Sequence, residues 1–222
     1  MALSVAAGPH AANGAGTVTT AAFTPTDGSL VVACMCLQWG GDPPTVSDSL
    51  GGTWTSRAVS TGGTVARIYT RPVVTGASMT VSVEPAIGGG AAVGTYIVTD
   101  QDSSPIGDDG GGGQEANEIT PTILTSTAAG SYGFVAAAET WDLGAAPTSS
   151  DLTYITDDVT MYLLHGYKDL GSAGAETANL NGYGSEPTQW YWAALEILAA
   201  PEASATSLPP HLPGPTWIWR IF

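Results

Sequence analysis

Short runs of β-branched and aromatic residues alternate with clusters of Gly, Pro, Asp and Ser along the whole chain. This alternation predicts β-strands joined by turns, and no run predicts a helix longer than a turn or two. In residues 79–83 apolar and polar side chains alternate, which predicts a strand with one face in water. The runs 29–39 and 190–198 are apolar on both faces, so we expect central strands or strands buried between layers.

The strand-like runs occur twice in the same order, which indicates an internal repeat. Residues 28–39 align without gaps to residues 130–141, and each of these runs follows a Thr-rich strand. The later pairs are 65–69 with 161–165 and 96–98 with 196–198. Two such halves predict either one jelly roll or two small sandwiches. Because strands that are apolar on both faces indicate a shared core, we favour one all-β, jelly-roll-like β-sandwich built from two similar halves.

The same pattern divides the chain into three parts. They are an N-terminal extension, residues 1–16; a β-sandwich, residues 17–200, with repeat halves 17–100 and 119–200; and a C-terminal arm, residues 201–222. The arm is rich in proline, so we expect it to be extended. Between the halves, the connector 101–118 combines a run of glycines with carboxylates and no base. We expect this connector to be a flexible, solvated link.

Composition and charge narrow the classes of partner. The chain has 222 residues, of which 43% are hydrophobic, so its apolar content suffices for a core. Asp and Glu number 20 against 5 for Lys and Arg, which gives a formal net charge of -15. This imbalance argues against nucleic acid and against an anionic membrane surface, because both bind basic faces. With no apolar run near the roughly 18 residues of a spanning helix and no secretory signal pattern, we expect a product made in the cytosol.

Few residues offer catalytic chemistry. Cys34 and Cys36 lie two apart in an apolar run, a spacing that favours buried reduced thiols over a disulfide or a metal site. The sequence contains no phosphate-binding loop, nucleophile elbow or zinc-protease motif. Glu139 and Glu196 are the plausible carboxylate pair for a glycosidase, yet both fall in apolar strands without a companion motif. The sequence therefore predicts a protein that is not an enzyme.

One acidic stretch resembles the start of a calcium-binding loop. Asp100, Asp102 and Asp108 could supply alternating oxygen ligands. The pattern then departs from such loops, because Pro105 replaces the turn glycine and Gly111 stands where a bidentate glutamate is needed. A solvated acidic link is favoured over a weak calcium site, and we expect no cofactor.

Tryptophan is frequent, with seven in the chain. Trp190 and Trp192 share one face of a predicted strand, and together with Trp54 they are candidates for stacking on sugars. Core packing is the favoured interpretation, because buried aromatic side chains stabilise sandwiches strongly.

The C-terminal arm ends in an apolar segment. Its apolar side chains are Trp217, Ile218, Trp219, Ile221 and Phe222. An exposed segment of this kind would promote aggregation of a free monomer. It therefore either folds back on its own sandwich or docks on a neighbouring subunit by strand addition.

A resemblance rests on Val46-Ser-Asp-Ser-Leu-Gly-Gly-Thr-Trp-Thr55, followed by the runs 65–70 and 74–83. This stretch resembles Gly/Thr-rich β-sandwich modules in virion proteins of tailed bacteriophages of actinobacteria, often labelled minor tail proteins. The similarity covers roughly residues 17–199, and its distinctive motif lies at 48–55. The resemblance implies a structural role without catalysis, as a tail or fibre component or as a capsid decoration. No catalytic residue carries over from it.

These observations lead to one expectation and one alternative. We expect a virion structural protein, assembled in the host cytoplasm, whose partners are other virion proteins and further copies of itself. A minor tail protein or fibre component is favoured, with capsid decoration nearly equal to it. The alternative is a carbohydrate-binding module or receptor-binding tip that recognises a host-surface glycan through its tryptophans. A glycoside hydrolase on a jelly roll is a third, less favoured interpretation.

Overall fold

A computed structural model describes most of the chain. The described residues are 2–37, 44–60, 65–85, 89–116, 118–140, 147–157, 163–182 and 189–201. Within these ranges the secondary structure is antiparallel β-sheet without helix, and no helix there could cross a membrane. The predicted all-β fold class is therefore confirmed.

The strands fall into two series, one in each half of the chain. The first series is β1 (Ser4–Asn13), β2 (Val18–Thr19), β3 (Leu30–Leu37), β4 (Thr45–Asp48), β5 (Thr55–Val59), β6 (Val65–Pro72), β7 (Val81–Glu84) and β8 (Ala91–Thr99). The second series is β9 (Gln101–Glu115), β10 (Glu118–Ile119), β11 (Thr122–Ser126), β12 (Tyr132–Thr140), β13 (Thr153–Asp157), β14 (Leu163–Asp169), β15 (Gly174–Thr177), β16 (Leu180–Asn181) and β17 (Gln189–Ala199).

The two series form sheets with the same strand order. The first large sheet has the order β1-β8-β3-β6-β5, and the second has the order β9-β17-β12-β14-β13. A smaller sheet, β2-β7-β4, belongs to the first half, and the pairs β10-β16 and β11-β15 occupy the corresponding place in the second. The internal repeat seen in the sequence is therefore present in the fold.

The strands of the first half are divided between two sheets. Strands β1, β8, β3 and β6 are neighbours in one sheet, while β2, β7 and β4 are neighbours in the other. Two Greek keys folded over one another produce this arrangement. Strand β5 departs from it, because it pairs with β6 in the large sheet. The prediction of one jelly-roll-like sandwich built from both halves stays a prediction.

The two large sheets face each other across a shared core. This core takes side chains from both halves, among them Val32, Cys34, Ile68, Tyr96, Phe134, Ala136, Leu195 and Ile197. Each half also has one outer core, which lies between its large sheet and its small partner sheets. The halves are thus two sandwiches that share a central core, a more divided arrangement than the single sandwich that the sequence favoured.

The shared core explains why β3 is apolar on both faces. Cys34 and Cys36 point into the shared core, while Ala33, Met35 and Leu37 point into the outer core of the first half. Strand β17 is arranged in the same way in the second half. The prediction that 29–39 and 190–198 include buried central strands is confirmed for the described residues.

The acidic connector was predicted wrongly. Residues 101–115 are not a flexible link but β9, the longest strand, which pairs with β17 along the edge of the second large sheet. Its glycines are required by close packing: a Cβ on Gly110 would meet the carbonyl oxygen of Ile123, and a Cβ on Gly112 would meet the ring of Trp192. Glycine here marks close approach of neighbouring chain rather than flexibility.

The N-terminal extension was also placed wrongly. Residues 4–13 form β1, which pairs with β8 at the edge of the first large sheet. Leu3 is buried and packs in the shared core. Residues 3–13, which the sequence assigned to an extension at 1–16, therefore form part of the sandwich.

The later segments of the repeat align one residue away from the predicted register. Cys34 pairs with Ile68 and the equivalent Ala136 pairs with His165, so Ile68 corresponds to His165. Val31 pairs with Ile97 and the equivalent Gly133 pairs with Glu196, so Ile97 corresponds to Glu196. A one-residue shift exchanges the two faces of a strand, and in runs apolar on both faces the pattern does not distinguish the two registers.

We expect the substitution Gly110→Ala to destabilise the protein by about 1–3 kcal/mol, because the new methyl group must displace the backbone at Ile123. The matched control is Gln114→Ala, an exposed position on the same strand. Its free energy of unfolding should stay within about 0.5 kcal/mol of the wild type. Urea unfolding followed by circular dichroism measures both, and equal stability of the two variants would contradict the assignment of β9.

Candidate functional site

A cleft of about 560 Å³ lies at one end of the shared core. Leu3 comes from the segment before β1, Tyr132 begins β12, and Leu198 lies near the end of β17. Two carboxylates complete the rim, Asp102 at the start of β9 and Asp169 at the end of β14. Strand ends from both halves therefore converge on this cleft.

Apart from these carboxylates and the Tyr132 hydroxyl, the side chains of the lining are apolar. Asp102 Oδ1 accepts a hydrogen bond from the Ser104 amide at 2.7 Å, and Asp169 Oδ1 accepts one from the Gly171 amide at 2.8 Å. Among the described residues, the second oxygen of each carboxylate accepts no hydrogen bond. Partial burial, followed by the nearby Asp169 carboxylate, raises the pKa of Tyr132. The cleft thus suits an apolar ligand that carries a positive charge.

One wall of the cleft is the turn between β11 and β12, and it is held by Glu196. Three hydroxyl groups lie close to this carboxylate: Ser131 Oγ at 2.6 Å, Thr127 Oγ1 at 2.8 Å and Ser126 Oγ at 2.9 Å. The amides of Asp108 and Thr127 donate to it at 3.0 Å. The carboxylate therefore ties the turn to strands β9 and β17.

Glu196 is ionised in spite of its burial. Burial acts to raise its pKa, but hydrogen bonds from Ser131, from the Asp108 amide and from Thr127 outweigh this effect and lower the pKa to about 2. A carboxylate surrounded by donors in this way acts as a structural anchor for the wall. The sequence predicted a strand at Glu196 but no hydrogen bonds between this residue and the turn 126–131. The cluster of Ser and Thr residues in that turn was the feature that could have indicated them.

The structure does not bring the two candidate glycosidase carboxylates together. Glu139 pairs with Trp190, whereas Glu196 pairs with Gly133, six positions away along β12. At about 3.3 Å per residue this separation is roughly 20 Å. Glycosidases place their carboxyl groups about 5–9.5 Å apart. The pair Glu139 and Glu196 is therefore unsuited to glycoside hydrolysis.

A buried polar pair lies in the shared core. Tyr96 Oη donates to the carbonyl oxygen of His165 at 3.0 Å and lies 2.7 Å from His165 Nδ1. Because a hydroxyl has one proton, Nδ1 must be the donor in the second contact. Burial, with a smaller effect from His10, lowers the pKa of His165 to about 3, so the ring is neutral. Gly94 makes room for it, since a Cβ there would meet the ring. The pair joins the two halves.

The motif at 48–55 has a structural explanation. Asp48 accepts hydrogen bonds from the Leu50 amide and from Trp54 Nε1, both at 2.8 Å. Arg71 Nε lies 3.1 Å from the same carboxylate, whose side chain is fully buried. Asp48 thus closes the turn after β4 and fixes Trp54 beside it. The motif at 48–55 is therefore a turn that leads into strand β5.

The calcium candidates are not arranged as a site. Asp102 is engaged with its own turn, and Asp108 Oδ2 accepts a hydrogen bond from the Thr125 amide at 2.6 Å. Asp100 is exposed and has a positive φ of 62°. Within the described ranges, no group of three His, Cys, Asp or Glu residues could hold a metal ion.

Two of the three candidate sugar-stacking tryptophans are buried. Trp190 is 0% exposed and Trp192 8%, and both pack in the outer core of the second half. Their faces are unavailable to a sugar, so that interpretation was wrong and the favoured core packing is confirmed. Trp54 is half-buried and its indole nitrogen is bound to Asp48.

Of the remaining sequence predictions, the one for the cysteines is confirmed and the one for the arm falls outside the described residues. Cys34 and Cys36 are free and buried, as predicted, and burial raises the pKa of both thiols. The proposed subunit-contact residues Trp217, Ile218, Trp219, Ile221 and Phe222 lie outside the described residues. The cleft itself was not predicted, because its walls come from segments far apart in sequence.

No protein family, no curated protein and no solved structure matches this chain. The virion-protein resemblance therefore stays a prediction from the residues quoted above.

We expect Glu196→Gln to lower the free energy of unfolding by at least about 2 kcal/mol, because hydrogen bonds to a charged group contribute roughly 1.5–3 kcal/mol each. The control is Glu115→Gln, an exposed glutamate of β9, which should change stability by less than about 0.5 kcal/mol. Urea unfolding at pH 7 gives both values. Indistinguishable stabilities would show that Glu196 does not anchor the wall.

The lowered pKa of His165 predicts loss of stability in mild acid. The unfolded imidazole takes up a proton near pH 6.5, whereas the folded one does so only near pH 3. Stability is therefore full above about pH 6.5 and falls as the pH drops towards 3, by up to about 1.4 kcal/mol per unit. Between pH 6.5 and 5 the wild type should lose more stability than His165→Gln. The His165 ring signals in an NMR titration should still be those of the neutral form at pH 5; titration near 6.5 would overturn this account.

Proposed function

We propose that this protein is a non-enzymatic structural subunit of a tailed-phage virion and that it acts by assembling with other virion proteins and with copies of itself. The observation that carries this proposal is the apolar segment 217–222, which follows a Pro-rich spacer beginning at Pro201. A hydrophobic segment on a spacer is suited to bury its side chains on another surface. The resemblance at 46–83 supports the same role.

The charge of the chain supports assembly from a soluble pool. With a net charge of -15, free copies repel each other in solution. The one lysine, Lys168, lies 3.4 Å from Asp151 and 3.5 Å from Glu176, so its charge is locally balanced by carboxylates. The acidic residues are sparse near the end of the sequence, since none occurs after Glu202. The rest of the chain therefore carries the acidic charge that keeps free copies apart, whereas the apolar segment 217–222 carries none.

Assembly is favoured over glycan binding. Sugar stacking needs exposed aromatic faces, and of the three candidate tryptophans only Trp54 is not buried.

Within the virion, the number of copies per particle distinguishes the two positions that the proposal includes, capsid and tail. Hundreds of copies per particle would indicate capsid decoration, and a handful would indicate the tail.

We expect deletion of residues 202–222 to leave a folded protein that no longer oligomerises. The three core clusters are formed by residues before Pro201, so the body keeps them. Loss of the five apolar side chains of residues 217–222 would remove several kcal/mol of binding, at roughly 1.5–3 kcal/mol for each one that is fully buried. Circular dichroism and multi-angle light scattering measure the two outcomes.

The matched control for this deletion is the full chain with His211→Ala and Leu208→Ala, which alters the spacer but keeps the apolar segment. It should assemble as the wild type does. A truncated chain that unfolds would show that the arm belongs to its own core, and a truncated chain that still assembles would contradict the proposed role of the arm.

A further inference from the structure

The cleft at the end of the shared core lies directly beside the start of the arm. Pro201 is both the last described residue and part of the cleft lining. The Ala200 amide donates to the carbonyl oxygen of Asp100 at 2.9 Å, which fixes the point from which the arm departs. Every copy therefore presents the cleft and the base of the arm at the same end.

The chemistry of the cleft matches that of the apolar segment. The cleft has apolar walls, with Leu3, Tyr132 and Leu198 among them, and the carboxylates Asp102 and Asp169 on its rim. The segment 217–222 is apolar except for one cation, Arg220. Arg220 is also the only basic residue after Lys168 apart from histidine. An apolar peptide with a single guanidinium is the ligand that an apolar cleft with two unshared carboxylate oxygens would take.

The spacer is long enough to carry the segment to a second copy of the chain. Residues 202–216 include Pro209, Pro210, Pro213 and Pro215. A proline-rich chain of this length, extended at about 3.1 Å per residue, reaches roughly 45 Å. A compact chain of 222 residues has a radius of gyration of about 17 Å, and so is roughly 45 Å across. A stiff spacer from the rim of one cleft therefore reaches the cleft of the next copy.

We propose that the cleft receives residues 217–222 of a second copy of this chain, with Arg220 against Asp102 and Asp169. This inference rests on the proposed assembly role and names the surface that performs it. Because the arm and the cleft are different surfaces, the contact is heterologous and runs head to tail. Such contacts close into a ring or continue as a filament, according to the rotation between copies.

The test uses two full-length variants. In the cleft variant, Ala129→Arg places a bulky cation on an exposed residue of the lining, where folding is spared. In the arm variant, Trp217→Ala and Trp219→Ala remove the largest apolar groups of the segment. We expect each variant alone to be monomeric at concentrations where the wild type assembles, and a mixture of the two to form a 1:1 dimer. Sedimentation velocity measures all three states.

The matched control is Ala77→Arg, the same change at an exposed residue of the other half. It should assemble as the wild type does. A cleft variant that also assembles normally would overturn the inference, as would a mixture that stays monomeric, which is the result expected if each arm occupied its own cleft. In both cases, loss of assembly on deleting 202–222 would still support the role of the arm in assembly. A wild type that is monomeric at every concentration would contradict the proposed function itself.

Charge pairing gives a second readout. Arg220→Glu should weaken association at least tenfold, because a carboxylate would then face Asp102 and Asp169. Adding Asp169→Lys to the same chain should restore most of the lost affinity, since every cleft then offers a cation to the altered arm. Failure of this rescue, with both variants folded, would overturn the placement of Arg220.

Discussion

The shared core between the two large sheets is the constraint on which the rest of the structure depends. Each central strand must be apolar on both faces, because one face packs on a small sheet and the other on the opposite half. A half without its partner would expose an entire sheet face, far more than the few hundred Å² that soluble monomers usually show. The repeat therefore gives two sandwiches that are topologically similar and energetically dependent on each other.

Two buried polar sites in the described part of the chain are satisfied by local partners. Tyr96 and His165 satisfy each other in the shared core, and Gly94 leaves the space that the imidazole needs. Glu196 gathers its hydroxyl and amide donors around one carboxylate and remains charged. Both His165 and Glu196 occupy positions that are isoleucine in the first half, Ile68 and Ile97. The second half has thus exchanged two apolar positions for groups that organise their surroundings.

Sequence reasoning succeeded where burial dictates the side chains. Strands β3 and β17 could be predicted because burial on both faces leaves a continuous apolar run, and the repeat followed from their order. Strand β9 could not be predicted, because neighbouring atoms leave no space for side chains at its glycines. Without side chains at these positions, the sequence shows no pattern of buried and exposed residues. A run of glycines with aspartates has the composition of a loop. The cleft escaped prediction because it is made where strand ends from both halves meet.

The difference between the halves bears on the assembly that we propose. Two identical halves would give a protein with two equivalent ends and therefore no polarity. The anchored turn of 126–131 depends on Glu196, and the first half has Ile97 at that position, which cannot hold a turn by accepting hydrogen bonds. The cleft wall is therefore a property of the second half. Because Pro201 lies at the same end, the two ends of the protein differ, as the head-to-tail assembly that we propose requires.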